Sequence, residues 1–500
     1  MKHDPHPLLQ RRTSGVLLHL TCLPGRHGSG DLGEGAMHFL DWLATAGQSL
    51  WQILPLTPSG PGHSPYRSPS AFAGNPWLVD LDDLAACGWL PPLPDPGFDP
   101  RRCDFERVIP HRRAALNQAW RGFQRQASAD DREAFERFTK VQAGWLIDYA
   151  RFMVLTERHG EPWTHWPTEL AQRDPSALQR LDAAAAGALG FWHFVQWRFQ
   201  VQWARLRAAA HARNIHFVGD LPLFVDHHSA DVWTHAGQFR LDAQGEPSVV
   251  AGVPPDYFCV DGQRWGNPLY RWDTMAADGW GWWTRRAGHL LSLLDVVRLD
   301  HFRGFEAGWE IPATDTTAVN GHWQAGPGSR FFEALDEGLG PLPFIAEDLG
   351  VITDTVTQLR LDCGFPGMRV MQFGFDGSPT NMHLPHNLAQ GIVACSGTHD
   401  NDTTVGWWLS LGPEARDAVR HYLGPQVDRE VHWAMVQALS QSVANTLIVP
   451  FQDVLGLDSS HRMNVPGQAR GCWTWRFDWT MVDASPASRL GAMIRAHGRT

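Results

Sequence analysis

Lysine is almost missing from this 500-residue chain. Only Lys2 and Lys140 occur, so 42 basic residues less 2 leaves 40 arginines. A phosphate-binding loop needs Gly-Lys-Ser/Thr, and a pyridoxal enzyme needs a Schiff-base lysine. Lys2 sits in the N-terminal tail and Lys140 in the helical-looking REAFERFTKVQAGWL, with no glycine loop beside it, so neither chemistry is expected. Cysteine is sparse and unpatterned: Cys22, Cys87, Cys103, Cys259, Cys363, Cys395 and Cys472 make an odd number with no C-x-x-C. That excludes a disulfide framework and a zinc-ligand spacing, and leaves reduced buried thiols. The 25 histidines contain no H-E-x-x-H, and the pair His227-His228 alone is weak evidence for metal. A basic excess is also lacking. Lys and Arg number 42 against 53 Asp and Glu, a net charge of −11, which argues against nucleic acid as a partner. No run approaches the roughly 18 apolar residues of a membrane span. The start, MKHDPHPLLQRRTSG, has no apolar core of signal-peptide length. A cytoplasmic protein with no membrane partner is expected.

Hydrophobic residues make up 43% of the chain, enough to bury a core. Tryptophan and phenylalanine number 25 each against 5 tyrosines; most should be packing residues, though flat indole faces also stack on sugar rings. Short apolar, β-branched runs recur with helical stretches between them, the mark of parallel β/α units. Eight strands are predicted: Gly15–Leu23, Leu50–Leu56, His216–Val225, Val296–Phe305, Pro343–Leu349, Met368–Phe375, Ile392–Thr398 and Thr446–Val454. Helical patterns fill gaps at Ala36–Ala46, Phe191–Ala212 and Glu430–Leu439. Eight such units predict a (β/α)8 TIM barrel, usually about 250 residues. Residues 1–500 then form a single catalytic barrel with large insertions. A mostly helical one, residues 57–187, lies between strands two and three. Another, residues 226–286, lies between strands three and four and carries active-site loops. About 45 residues follow the eighth strand, too few for a C-terminal β-sandwich. Gly28-Ser29-Gly30-Asp31-Leu32-Gly33 matches a dinucleotide-binding pattern, but Pro24 to His27 separate it from the strand. No acid stands about 20 residues on, where Leu50-Trp51-Gln52-Ile53 is found, so that reading fails its context test.

In a parallel barrel the reactive groups gather at the C-terminal ends of the strands. Strands three, four, five and seven carry Asp220, Asp300, Glu347 and Asp400 there. VVRLDHFRGF sets Arg298 and Asp300 two apart, on one face of a strand. A guanidinium beside a carboxylate favours the ionised form that a nucleophile must have. FIAEDLG ends a very apolar strand in Glu347, where desolvation raises the pKa toward that of a general acid. CSGTHDND brings Asp400 with His399 beside it. A lone acid is more often a salt bridge or helix cap, and Asp31, Asp348 and Asp402 fit that plainer role. Magnesium bound by oxygen ligands is the chemical alternative; Arg298 counts against it by placing a fixed positive charge next to the ion.

The blocks VGDLPLFV, VVRLDHF, IAEDLG and CSGTHD occur in the order of the α-amylase superfamily. SPYRSPSAFAGNP, ADVW, AGVPPDYF, RWGNPLY and RMNVPG resemble its amylomaltase branch, the 4-α-glucanotransferases. The resemblance runs from Leu17 past Gly467. It implies Asp300 as nucleophile, Glu347 as acid/base and Asp400 as transition-state stabiliser, with Arg298 and His399 as close supports. It also implies sugar subsites lined by Ser64, Tyr66, Gln263, Trp265, Asp376 and Asn464, and no cofactor. Maltooligosaccharides and linear α-1,4-glucans are the expected donors and acceptors. Arg67 stands where the branch has glutamine, and Asp261 and Arg264 also depart from its pattern, which touches chain-length preference. An α-glucan hydrolase of the same superfamily is the nearest rival, and a non-catalytic glucan-binding protein the other. The loops Ala251–Phe258 and Gln263–Tyr270 are expected to cover the mouth, so that a bound 4-hydroxyl outcompetes water.

Overall fold

The computed structural model describes residues 5–255, 260–468 and 470–499. Lys2, Cys259 and the Asp256–Phe258 part of the expected mouth loop lie outside them. Among the described residues twelve strands occur in chain order: β1 Thr13–Leu17, β2 Leu50–Gln52, β3 His216–Leu221, β4 Val249–Val253, β5 Gln263–Pro268, β6 Val296–Leu299, β7 Ala307–Pro312, β8 His322–Ala325, β9 Phe344–Ala346, β10 Gly367–Val370, β11 Ile392–Cys395 and β12 Thr446–Pro450. Eight of them, β1, β2, β3, β6, β9, β10, β11 and β12, close into a barrel of parallel neighbours. The fold is a (β/α)8 TIM barrel, and each of its strands is one read from the sequence. Their residues are mostly apolar on both faces because helices cover the outside and side-chain layers fill the inside; TSGVL, VVRL, IVAC and TLIVP are buried throughout.

The predicted strands ran too far at their C-terminal ends, and in four of them the cause is the same. The chain leaves β1, β6 and β10 through short 3-10 turns, Leu20–Cys22, Phe302–Phe305 and Met371–Gly374, and leaves β12 through the helical turn Phe451–Val454. Those turns carry buried side chains such as Leu20, Phe302, Phe305, Met371 and Phe451. The apolar run therefore continues where the strand does not.

Between β2 and β3 the chain is largely helical. Helix Phe105–Gln126 buries Phe105, Val108, Arg112, Ala115, Leu116, Ala119 and Phe123, the three-and-four spacing of one helix face. Ser128 caps Ala129–Val141 through a reciprocal pairing with Asp131, and Ala143–His159 follows. Helix Ala186–His211 then leads back to β3. Arg112, fully buried, donates to the carbonyls of His27, Val79 and Ser29 and to Asp31 Oδ2 at 2.9 Å. The glycine-rich stretch winds around that arginine, and close backbone packing requires a glycine in it: a Cβ on Gly30 would lie 2.0 Å from the Leu20 carbonyl oxygen.

The second sheet was not foreseen. Strands β5, β4, β7 and β8 form an antiparallel sheet in that order, built from the β3–β6 and β6–β9 connections. Val250, Ile311 and Ala318 make its own small core, with Trp309 packed against it. The expected departures from the family pattern sit here or beside the mouth: Arg264 donates to the Ala313 carbonyl at 3.0 Å, the Asp261 carbonyl accepts from Ala318 N–H, and Arg67 pairs with Asp226 at 2.9 Å. After β12 the described residues contain no strand, and helix Ala484–Ala496 packs on helix Glu34–Thr45. Among the described residues no helix is long and apolar enough to cross a membrane.

Candidate active site

The register of β3 against β6 pairs Asp220 with Arg298, so their side chains emerge side by side into the barrel. Arg298 donates through Nη1 to Asp220 Oδ2 at 2.6 Å and through Nη2 to Asp300 Oδ1 at 3.0 Å. The strand ladder continues just past the strand ends: Asp300 N–H donates to the Leu221 carbonyl and Glu347 N–H to the Leu299 carbonyl, each at 3.0 Å. Asp300 and Glu347 are thereby held by backbone, at the C-terminal ends of adjacent strands β6 and β9.

His301, next after Asp300, has the left-handed φ of 73°, uncommon for a residue with a Cβ. This turn aims its N–H at Glu347 Oε2, 3.0 Å away, while Leu349 N–H donates to Oε1 at 3.2 Å. Burial pushes the Glu347 carboxyl up to about 8; the Arg298 charge pulls it down and the Asp300 charge pushes it further up. At neutral pH it carries a proton. Burial weighs against the charge on Arg298, but Asp220 and Asp300 more than offset it and hold the guanidinium well above its ordinary range. The acid pair is thus differentiated: Asp300 faces a cation, Glu347 an apolar strand end.

Tyr66 enters through its hydroxyl as well as its ring. It donates to Asp220 Oδ2 at 2.7 Å, and its ring stacks on His399 at 5.2 Å and 12°. Ser64 accepts from Tyr66 N–H through Oγ at 3.3 Å, fixing the turn that delivers the tyrosine. On the β11 side, Asp400 Oδ1 accepts from Asn464 Nδ2 at 2.6 Å and lies 3.4 Å from His399 Nε2, and Arg462 donates to the Asp400 carbonyl at 2.9 Å. Trp265 meets His301 edge to face at 4.8 Å and donates from Nε1 to Gln263 Oε1 at 3.1 Å.

The sequence-derived residues Arg298, Asp300, Glu347, Asp400, His399, Tyr66 and Asn464 fall into one contact network through Asp220. Trp265, Gln263 and Ser64 adjoin it. Asp376 stands apart: it is exposed, and its carboxylate closes its own turn on Ser378 N–H at 2.9 Å. Sequence reasoning noted Asp220 as a strand-end acid but gave it no part. It missed His301, Arg462 and Trp473, whose ring lies 6.0 Å from both Tyr66 and His399. The pair His227-His228 is structural: His228 accepts from Trp163 N–H, and His227 bonds the Gly245 carbonyl. Among the described residues, the one grouping with the spacing of metal ligands is His211, His216 and Asp295 at the opposite end of the barrel, where Arg207 already pairs with Asp295 at 2.7 Å.

Residues 18–481 match the family described as 4-alpha-glucanotransferase. The chain belongs to the 4-alpha-glucanotransferase family. Membership carries the activity, transfer of 4-α-glucan units, and makes the protein an enzyme of the amylomaltase type. The 4-alpha-glucanotransferase of Thermus thermophilus is 48% identical over 98% of this chain and 99% of its own. That of Synechocystis sp. is 45% identical over the same two shares. The solved amylomaltase from Streptococcus agalactiae, in complex with acarbose, superposes with a TM-score of 0.95 at 34% identity and covers 98% of this chain and 100% of that one.

Proposed function

We propose that this 4-alpha-glucanotransferase moves segments between maltooligosaccharides and linear α-1,4-glucans by a retaining double displacement. The observation that carries the reading is the opposed setting of its two carboxyl groups, Asp300 bonded to Arg298 and Glu347 raised to about 8 on adjacent strands. A retaining enzyme needs one ionised nucleophile and one protonated acid flanking the scissile bond. In the first step Asp300 attacks C1 of the donor glucose as Glu347 gives its proton to the glycosidic oxygen. The C1–O4 bond breaks, the leaving chain keeps the proton as a new 4-hydroxyl, and a glycosyl ester remains on Asp300. In the second step the 4-hydroxyl of an acceptor chain attacks C1, Glu347 takes its proton back, and the ester bond breaks. Asp400, held by Asn464 and His399, stabilises the positive charge on the ring in both transition states. Arg298 holds the Asp300 carboxylate in place by its hydrogen bond and is itself held by Asp220, whose other bond reaches Tyr66. The Tyr66 and Trp265 rings supply flat faces for sugar.

One bond is broken and one made, so transfer leaves total reducing ends constant, whereas hydrolysis adds one per event. Maltotriose incubated with the enzyme is expected to give glucose and longer oligomers at constant reducing sugar. Reducing ends that climb in step with glucose and maltose would make water the acceptor and sink the transfer step. Acarbose, held by the Streptococcus agalactiae relative, is expected to bind here and inhibit. We place the enzyme in the cytoplasm, a reading supported by the six described cysteines, all unpaired and five of them buried.

A further inference from the structure

Between helix Ala143–His159 of the long β2–β3 connection and helix Gly281–Leu293 outside the barrel lies a cavity of about 380 Å³. Small-molecule sites span about 300–1,000 Å³. None of Asp300, Glu347 or Asp400 lines it. One wall is aromatic. Phe72 and Trp282 are buried beneath it, and the half-buried Trp145 lies 6.4 Å from Phe72 with its plane tilted by 15°. The Trp145 indole N–H donates to Gln142 Oε1 at 2.7 Å, which fixes the ring and leaves the Gln142 amide NH₂ unspent.

The polar atoms around that wall are mixed: two imidazoles, the Gln142 amide, two carboxylates and the exposed guanidinium of Arg285. His289 bonds the Phe72 carbonyl through Nε2 at 2.9 Å, and His235 the Asp231 carbonyl through Nδ1 at 3.3 Å. A carbonyl only accepts, so each neutral ring keeps its other nitrogen as a lone-pair acceptor, and burial lowers the pKa of both imidazoles, favouring that neutral form. The two acids of the lining are already engaged. Asp148 pairs with Arg151 and Arg173, and Asp231 accepts from Ala71 N–H at 2.7 Å and from the Trp282 indole at 3.3 Å. A cationic ligand therefore meets no free carboxylate, an anionic one faces Asp148 and Asp231 as well as Arg285, and an apolar one strands both donors and acceptors. A ring with an apolar face and a rim of hydroxyls, each able to give and take a hydrogen bond, satisfies the whole lining.

We propose that this cavity is a second α-glucan site, taking a chain end one or two glucose units long, apart from the catalytic carboxylates. The proposal rests on the reading that the substrate is an α-glucan. Its floor belongs to the segment that delivers Tyr66: Ser70 and Phe72 line the cavity, and Ala230 N–H ties the Pro69 carbonyl at 2.8 Å. A long chain anchored there raises the effective concentration of its remaining length at the carboxylates, while a trisaccharide gains nothing.

Gly144 lies on the lining, in the first turn of its helix, and a Cβ there meets nothing within 4 Å. Gly144→Phe therefore fills the cavity without straining the protein, and Trp145→Ala removes the stacking face by an independent route. Calorimetric titration with acarbose is expected to give two equivalents in the unaltered chain and one in either variant. Both variants should keep their rate on maltotriose and raise KM on long amylose by about threefold or more. One equivalent that neither variant removes, or two that survive both, overturns the proposal, as does an unchanged KM on amylose. A single equivalent that both variants abolish upholds this site and overturns instead the reading of the carboxylates as a sugar site.

Discussion

The two walls of the active site are built differently. On the β3–β6–β9 wall, Asp300 and Glu347 are one residue past their strands and fastened by main-chain hydrogen bonds to the neighbouring strand. On the β11–β12 wall, Asp400 stands five residues beyond Cys395, at the tip of a loop, and its side chain is 45% exposed against 30% for Asp300. Side chains do the fastening there. Asp453, 1% exposed, accepts from Ser396 Oγ at 2.6 Å and from Thr404 N–H and Oγ1, each at 2.7 Å, clamping both ends of the loop, while Asn464 holds the Asp400 carboxylate. Groups that make and break bonds need near-attack geometry, and strands supply it. A group that stabilises charge acts through a field that falls gently with distance, so a loop suffices.

This contrast predicts where substitutions hurt most. Asp300→Asn keeps shape and removes the proposed nucleophile, and kcat is expected to fall by about 10⁴-fold or more, with the unfolding curve nearly unchanged. Retention of ordinary turnover would break the comparison at its root. Glu347→Gln comes next, at about 10²–10⁴-fold, with a chemical signature: a glycosyl fluoride needs no proton to depart, so the first step should largely recover on that donor. The pH profile carries the same information. Glu347 must be protonated to act as the acid, so kcat/KM in the native enzyme should decline as pH rises through about 8. The raised carboxyl binds its proton more tightly folded than unfolded, so its stabilising contribution is full below the ordinary value of 4.5 and lost as pH rises through about 8. Urea unfolding at rising pH should therefore weaken the native chain more than Glu347→Gln.

How much of this could be read from the residues depends on the distance over which they act. The eight barrel strands were legible because buried parallel strands are short continuous apolar runs, as in VVRL and TLIVP. Strands β5 and β8 were not: QRWGNP is mostly exposed or half-buried and HWQA wholly exposed, so neither shows an apolar alternation to detect. Asp300 and Glu347 were legible because a strand end places them. The Tyr66–Asp220 bond joins residues 154 apart and the Asn464–Asp400 bond residues 64 apart; only the closed barrel brings these together. The left-handed turn at His301 leaves no mark in its residue type.

Arg298→Ala tests the strand wall in stability rather than rate. It leaves Asp220, whose side chain is 0% exposed, without its cation in the barrel interior. Breaking a buried pair by removing one partner costs about 3–5 kcal/mol, which should appear as a lower urea midpoint at unchanged slope, alongside lost activity. A variant as stable as the parent would mean that the pair organises charge without holding the barrel.

The smallest effect is expected on the loop wall. Asn464→Ala removes the 2.6 Å bond to Asp400 Oδ1, but Asp400 is half-exposed, and water can take the vacated position. A hydrogen bond to a charged group is worth about 1.5–3 kcal/mol when sheltered, and solvent reduces that here toward about 1 kcal/mol, or about fivefold in rate. The division of that loss is the informative part. If Asn464 only positions Asp400 for the charged transition state, kcat falls and KM stays, because the interaction is made in the transition state alone. If Asn464 also grips the sugar in the ground state, KM rises. A drop in kcat as large as that of Asp300→Asn would show that the loop wall needs the same precision as the strand wall, and the distinction between them would fail.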